Sequence, residues 1–237
     1  MAYIYEHIRT RGVEPLNFEE HYLRLDALMN ELFFAHLSIS REELRKRICS
    51  ELQSRGYSPR AINAVCVKIE PFRAEPTIEI EEIFYERFAL RAIRPKGFIY
   101  RVGGDLILEK SSAREALLEL NRSMARATDD NSVAIWEKEK GEIVAIDGAS
   151  VIAVFDDEIR FSTSGNGVEF DLAFNAMVES VPNVTRGPIF EADLTQAKEI
   201  LAIDHRGIAV LESFDDHYYM DITAIRIAEK VAEAELA

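Results

Sequence analysis

The chain has 237 residues, 48% of them hydrophobic, with 11 glycines and 7 prolines. That is enough apolar content for one large core or two smaller ones, and too little glycine and proline for a fibrous or disordered chain. The 42 acidic residues against 28 basic ones give a formal net charge of −14, which argues against nucleic acid or an anionic membrane as partner.

In chain order, a strand is predicted over residues 3–10 and a turn over 11–15. Asn17, with Glu20 three residues on, has the spacing of a capping box. It opens a helix whose apolar residues Phe18, Tyr22, Leu25, Leu28, Met29 and Leu32 share one face. Ser40 and Glu43 repeat the capping relation for a second helix that stops near Gly56. Strands follow over 62–69, 77–85 and 88–93. Residues 94–97, Arg-Pro-Lys-Gly, break the pattern and are the candidate linker, giving a small N-terminal α+β domain over 1–97 and a larger C-terminal domain over 98–237.

Beyond the linker, residues 101–110 read as a strand ending on Lys110. A helix over 112–127 follows, with Ser112 and Glu115 as a third capping pair. Strands are predicted over 132–137, 142–146, 151–155 and 158–162, with turns at Lys140-Gly141 and Asp156-Asp157. Gly165-Asn166-Gly167 introduces a helix over 168–180. Strands over 199–203 and 208–213 precede a closing helix over 218–234. The fold class is therefore α+β, with mixed sheets and helices packed on them. The N-terminus lacks the apolar run of a signal peptide, and no segment is long and apolar enough to span a bilayer. Cys49 and Cys66 have no paired spacing, and a cytoplasmic protein with reduced thiols is expected.

The five histidines are scattered, with no Cys-x-x-Cys, so no metal site is expected. There is no Gly-x-Ser-x-Gly elbow and no Walker loop. What remains is a set of four features. Lys110 is an amine held at a strand–helix junction, and such an amine, desolvated, can attack a carbonyl. Arg24 lies beside the apolar face of the first helix. The helix start at Gly167 and Val168 presents backbone amides to an anion. Asp147 follows a strand and can present a carboxylate. Each has a plain structural reading as well: a surface lysine, an arginine packing its stem, a hairpin-to-helix turn and a turn aspartate. Together they are the groups that a pyridoxal phosphate site needs, with lysine for the Schiff base, arginine and helix amides for the phosphate, and a carboxylate for the ring nitrogen.

Two N-terminal segments carry a family resemblance. Tyr5-Glu-His-Ile-Arg-Thr-Arg-Gly12 and Leu16-Asn-Phe-Glu-Glu-His-Tyr-Leu-Arg-Leu25 resemble the signature of the class IV (fold-type IV) pyridoxal-phosphate aminotransferases. That family includes branched-chain and D-amino-acid aminotransferases and aminodeoxychorismate lyase. In its pattern Arg24 falls on the phosphate-binding arginine and Lys110 on the Schiff-base lysine, with Val133-Ala-Ile-Trp136 as the strand that follows. Lys110-Ser-Ser-Ala-Arg114 is similar to a branch of the family with Lys-Ser-Thr-x-Arg. Ala197-Lys-Glu-Ile-Leu201 and Arg206-Gly207-Ile208 are similar to its late strand and turn.

The resemblance implies a two-domain D-amino-acid aminotransferase-like fold and a homodimer. The implied activity moves an amino group between an amino acid and a 2-oxo acid, with Lys110 shuttling the Cα proton. A lyase of the aminodeoxychorismate type, or a non-catalytic homologue without the cofactor, are the alternatives. Tyr5 and Arg9, on one face of the first strand, would line the substrate side, and Arg9 or Arg101 would receive a substrate carboxylate.

The chain also departs from the family. It starts where members already have about one hairpin behind them. The usual Thr-Glu-Gly reads Ile146-Asp147-Gly148, a carboxylate one methylene shorter, and the polar residues that follow are replaced by Ala149-Ser-Val-Ile152. The phosphate loop reads Asn166-Gly167-Val168-Glu169, losing a hydroxyl and gaining a negative charge. The later hydroxyl loop reads Ile203-Asp204-His205-Arg206, where His205 and Arg206 either supply compensating charge or are ordinary loop residues.

Overall fold

Two segments distant in sequence form the first of two units, Met1–Arg87 with Glu109–Glu115; the second is Phe88–Leu108 with Ala116–Ala237. The computed structural model describes residues 2–71, 73, 75–82, 87–103, 109–129 and 131–235.

The first unit is a four-stranded antiparallel sheet with two helices. Its elements are β1 (Ile4–Arg11), β2 (Glu14–Pro15), α1 (Phe18–Phe33), α2 (Arg41–Arg55), β3 (Ile62–Ile69) and β4 (Thr77–Glu82). The strand order is β2-β1-β3-β4. Side chains alternate across a strand, so Ile4 and Ile8 of β1 face the same way. With Val65, Val67 and Ile69 of β3 they meet Leu25 and Met29 of α1 and Leu44, Ile48 and Leu52 of α2 in one core.

Ser40 caps α2 as predicted, its hydroxyl accepting from the Glu43 amide at 3.3 Å, and Gly56 ends the helix at φ 69°. Asn17 behaves differently: at φ 47° it enters α1 in the left-handed region, and its side chain makes no capping bond. The turn over 11–15 contains the short strand β2, which pairs with Thr10 and Arg11. Of the predicted strand over 77–85, residues 83–86 lie outside the described residues. Residues 88–93 form no strand; Leu90 alone makes a bridge to Ile208.

The second unit holds two sheets. One has the order β10-β9-β8-β12-β13, from β8 (Ser150–Val154), β9 (Ile159–Ser162), β10 (Val184–Gly187), β12 (Glu199–Asp204) and β13 (Gly207–Val210). The other runs β11-β7-β6-β5-β14-β15, from β5 (Lys96–Arg101), β6 (Ser132–Glu137), β7 (Glu142–Ile146), β11 (Ile189–Phe190), β14 (Ser213–Phe214) and β15 (His217–Tyr218). Its helices are α3 (Ser112–Thr128, from residue 116 onward), α4 (Val168–Ser180), α5 (Glu191–Leu194) and α6 (Ile222–Ala234).

β5 and β6 are parallel, so the chain between them must cross over, and α3 makes that crossover. Leu117 and Leu118 of α3 pack on Trp136, Ala134 and Val144, and the Trp136 indole donates to Asn121 Oδ1 at 3.2 Å. The larger core gathers Phe161, Phe170, Ile200, Leu201, Ile227 and Val231.

Some boundaries differ from the sequence reading. Lys96 and Gly97 belong to β5, not to a turn. α3 starts at Ser112 as expected, while the Glu115 amide bonds to the Ser111 carbonyl at 3.0 Å. His217 and Tyr218 form β15, so the closing helix starts at Ile222. Of the strand expected over 101–110, residues 104–108 lie outside the described residues. No described helix is long and apolar enough to cross a membrane.

Candidate active site

Backbone pairing fixes Lys110 within the first unit. The Tyr5 amide donates to the Lys110 carbonyl at 2.9 Å, the Ser112 amide donates to the Tyr3 carbonyl at 2.9 Å, and Ile4 bridges Ser111 in antiparallel sense. Residues 110–112 thus lie along the start of β1, on the edge opposite β3. Side chains secure the next turn. Lys68 reaches Glu115 at 3.2 Å and Glu79 at 3.0 Å, and the Tyr3 hydroxyl donates to Glu115.

From that position the Lys110 amine donates to Glu6 Oε1 at 2.7 Å. The same oxygen lies 3.1 Å from His21 Nδ1. Glu6 shares the core-facing side of β1 with Ile4 and Ile8, and its side chain is only 4% exposed. Burial alone would push its carboxyl upward, but the Lys110 ammonium and the His21 hydrogen bond outweigh burial and hold it well below the usual carboxylate range. His21 is buried with Phe18, Leu25, Leu28 and Met29 on the inner face of α1. A carboxylate in this position needs its partners, because an uncompensated buried charge is expensive.

Tyr5 and Arg9 both lie on the other face of β1 and both are buried. Burial pushes the Tyr5 hydroxyl up to about 12. Arg114, in the first turn of α3, is buried as well. Burial draws its guanidinium below the ordinary value, against the opposing pull of Tyr5, Glu109 and Glu6. Arg24 is half-buried on α1.

In the second unit, Asp147 is the first residue of the β7–β8 turn, at φ 47°, and Gly148 follows at φ 75°. The Asp147 amide donates to the Ala134 carbonyl at 3.0 Å. Its carboxylate is gripped by Arg122 of α3, with Nε to Oδ1 at 2.8 Å and Nη2 to Oδ2 at 3.0 Å. Arg206 Nη2 approaches Oδ2 at 3.4 Å.

His205 and Arg206 form the β12–β13 turn. Arg206 is committed to Asp204, with Nε at 3.0 Å and the backbone amide at 2.8 Å, so most of its positive charge is used within its own turn. Burial raises the Asp204 carboxyl, but Arg206 and then His205 more than reverse that and hold it far below its ordinary value.

The loop before α4 is fastened by Ser150, whose hydroxyl donates to the Asn166 carbonyl and accepts from the Asn166 amide, both at 2.8 Å. Gly167 has φ 149°, a conformation that L side chains rarely adopt, and α4 starts on it without a side-chain cap. Val168 is buried, and so is Glu169 in the same first turn. A Cβ on Gly165 would lie 2.2 Å from the Phe170 ring, so that glycine serves close packing. Arg101 ends β5 with its side chain 81% exposed, paired to Glu137 at 3.0 Å.

Lys110, Arg24, Tyr5 and Arg9 therefore belong to one unit, and Asp147, Gly167, Val168, His205 and Arg101 to the other. Four residues that the sequence reading gave no role stand out: Glu6 and His21 at the lysine, Arg122 at the aspartate, and Ser150 at the glycine loop.

No protein-family model matches the chain, and no curated protein matches it. Solved structures do. A protein from Thermotoga maritima, provisionally assigned as a branched-chain amino acid aminotransferase, covers 99% of this chain and 86% of its own, with a TM-score of 0.81 and 17% identity. A protein from Legionella pneumophila, provisionally assigned as a 4-amino-4-deoxychorismate lyase, covers 98% of this chain and 91% of its own, with a TM-score of 0.79 and 12% identity. A hypothetical aminotransferase from Mycobacterium tuberculosis, in its PLP-bound form, covers 99% and 89%, with a TM-score of 0.78 and 12% identity. The likeness at these identities is one of fold, and this chain has the fold of the class IV aminotransferases.

Proposed function

We propose that the chain is a pyridoxal-phosphate-dependent enzyme that transfers an amino group between an amino acid and a 2-oxo acid. The observation that carries this reading is the Lys110 amine, pinned by backbone pairing and held at 2.7 Å on the buried Glu6 carboxylate, in a chain of this fold. The PLP-bound Mycobacterium tuberculosis structure supports the choice of cofactor.

By residue type, the proposed donor set is what such a group needs. Lys110 supplies the amine. Arg24, the first-turn amides at Gly167 and Val168, and His205 would hold the phosphate. Asp147 would face the ring nitrogen; both of its oxygens accept from arginine, and a carboxylate has further lone pairs to offer. When bound, the cofactor supplies a ring that takes up the electron pair left as a proton leaves the substrate Cα.

Lys110 moves that Cα proton, and Glu6 with His21 holds the lysine in position for it. Arg9 or Arg101 receives the substrate carboxylate, with Tyr5 beside Arg9 on the same strand face. A homodimer in a reducing cytoplasm completes the reading, supported by the fold and by two free cysteines.

The test is turnover. The protein with pyridoxal phosphate is incubated with a panel of L- and D-amino acids and a 2-oxo acid acceptor. Mass spectrometry is expected to find a new amino acid that Lys110→Ala does not form; absence of turnover across the panel contradicts the proposal. Pyruvate released from an amino-substituted chorismate without an acceptor would point to the lyase instead. Glu169 favours a second reading, a homologue without the cofactor, because a buried carboxylate in the first turn of α4 repels a phosphate. A colourless protein after cofactor addition would select that reading.

A further inference from the structure

The β7–β8 turn is held from α3 by two residues one helical turn apart, and this goes beyond what a structural turn requires. Leu118 packs beneath Gly148 so closely that a Cβ there would lie 2.6 Å from Leu118 Cδ2. Arg122, four residues on and therefore on the same helix face, makes the two-point contact with Asp147 at 2.8 and 3.0 Å. Arg206 meets one of the same oxygens from the β12–β13 turn. The carboxylate is 17% exposed and is thus fixed from two sides while keeping an open edge.

We propose that Arg122 is a positioning residue that orients the Asp147 carboxylate toward the ring nitrogen of the bound cofactor. The inference rests on the pyridoxal-phosphate reading. An aspartate is one methylene shorter than the glutamate usual in the family, so its reach depends more on where the turn is held. A bidentate guanidinium fixes both the position and the plane of a carboxylate, which a single ammonium does not.

The test uses the full chain and two probes: pyridoxal phosphate, and its analogue with carbon in place of the ring nitrogen. Dissociation constants are read from the visible band and from fluorescence. The wild-type protein is expected to prefer pyridoxal phosphate by about tenfold, the scale of a charge-assisted hydrogen bond. Arg122→Gln and Asp147→Asn are expected to abolish most of that preference, and Arg122→Lys to keep part of it. A merely structural role would weaken both probes equally.

Preference retained in Arg122→Gln overturns the proposal and leaves the cofactor assignment standing, as does a wild-type protein that binds both probes alike. A wild-type protein that binds neither overturns both. If Arg122→Gln does not fold, Arg122→Lys decides: a reduced preference supports the role, an unchanged one overturns it.

Discussion

Glu6 carries more of this site than its place in the sequence suggests. It falls on the core face of β1, between Ile4 and Ile8, where an unpaired charge would not be tolerated. His21 likewise falls on the buried stripe of α1. Both positions were legible as ionisable residues on apolar faces, and that pattern alone asks for a partner. The partner was not legible, because Lys110 is more than a hundred residues away and no local periodicity records such a pairing.

Glu6→Ala is expected to cost about 3 kcal/mol in urea unfolding, since it leaves the ammonium and the imidazole without their shared acceptor. The sign with pH follows from a carboxyl whose folded pKa is depressed. Its contribution is fully present above the unfolded value of 4.5 and is lost as pH falls through the folded value. The stability gap between wild type and Glu6→Gln should therefore be constant near neutrality and narrow below about pH 4.5. A gap that does not change with acid would contradict the pairing.

Among the elements, the β7–β8 turn is tightly constrained. Gly148 combines φ 75° with close approach to Leu118, and Asp147 before it is already left-handed. Gly148→Ala is expected to lower stability by about 1–3 kcal/mol and to weaken cofactor binding, because the turn cannot move off α3 without moving Asp147. Thermal unfolding and cofactor titration of the variant check both, and wild-type values in each would refute the packing account.

The longer elements were readable from sequence by different signals: α1 by its apolar periodicity, α2 by the Ser40–Glu43 capping relation and the stop at Gly56, and α4 by the glycine loop before it. The two-residue strands β2, β11, β14 and β15 and the one-turn helix α5 were not, because so few residues carry no period. Gly97 misled for a different reason. It reads as a breaker beside Pro95, yet it lies in β5, where a Cβ would come within 2.4 Å of the Ile135 side chain. That glycine answers a packing demand that only the folded sheet reveals.

At the scale of the whole molecule, the fold was legible and the internal contacts of the divergent loops were not. Motif order around Arg24 and Lys110 gave the architecture that solved structures of 12–17% identity share. The loops that differ from the family turned out to be closed by their own contacts: Ser150 on Asn166, and Arg206 on Asp204. Arg206 thus spends most of its charge within its own turn, and under the proposed function the phosphate is left to the other residues named for it. The central claim is that Lys110 is the residue that carries the cofactor. The direct measurement is to add pyridoxal phosphate, reduce with borohydride, digest, and locate the added mass. The account predicts a single pyridoxyl group on Lys110, absent from Lys110→Ala; modification spread over surface lysines, or none at Lys110, would contradict it.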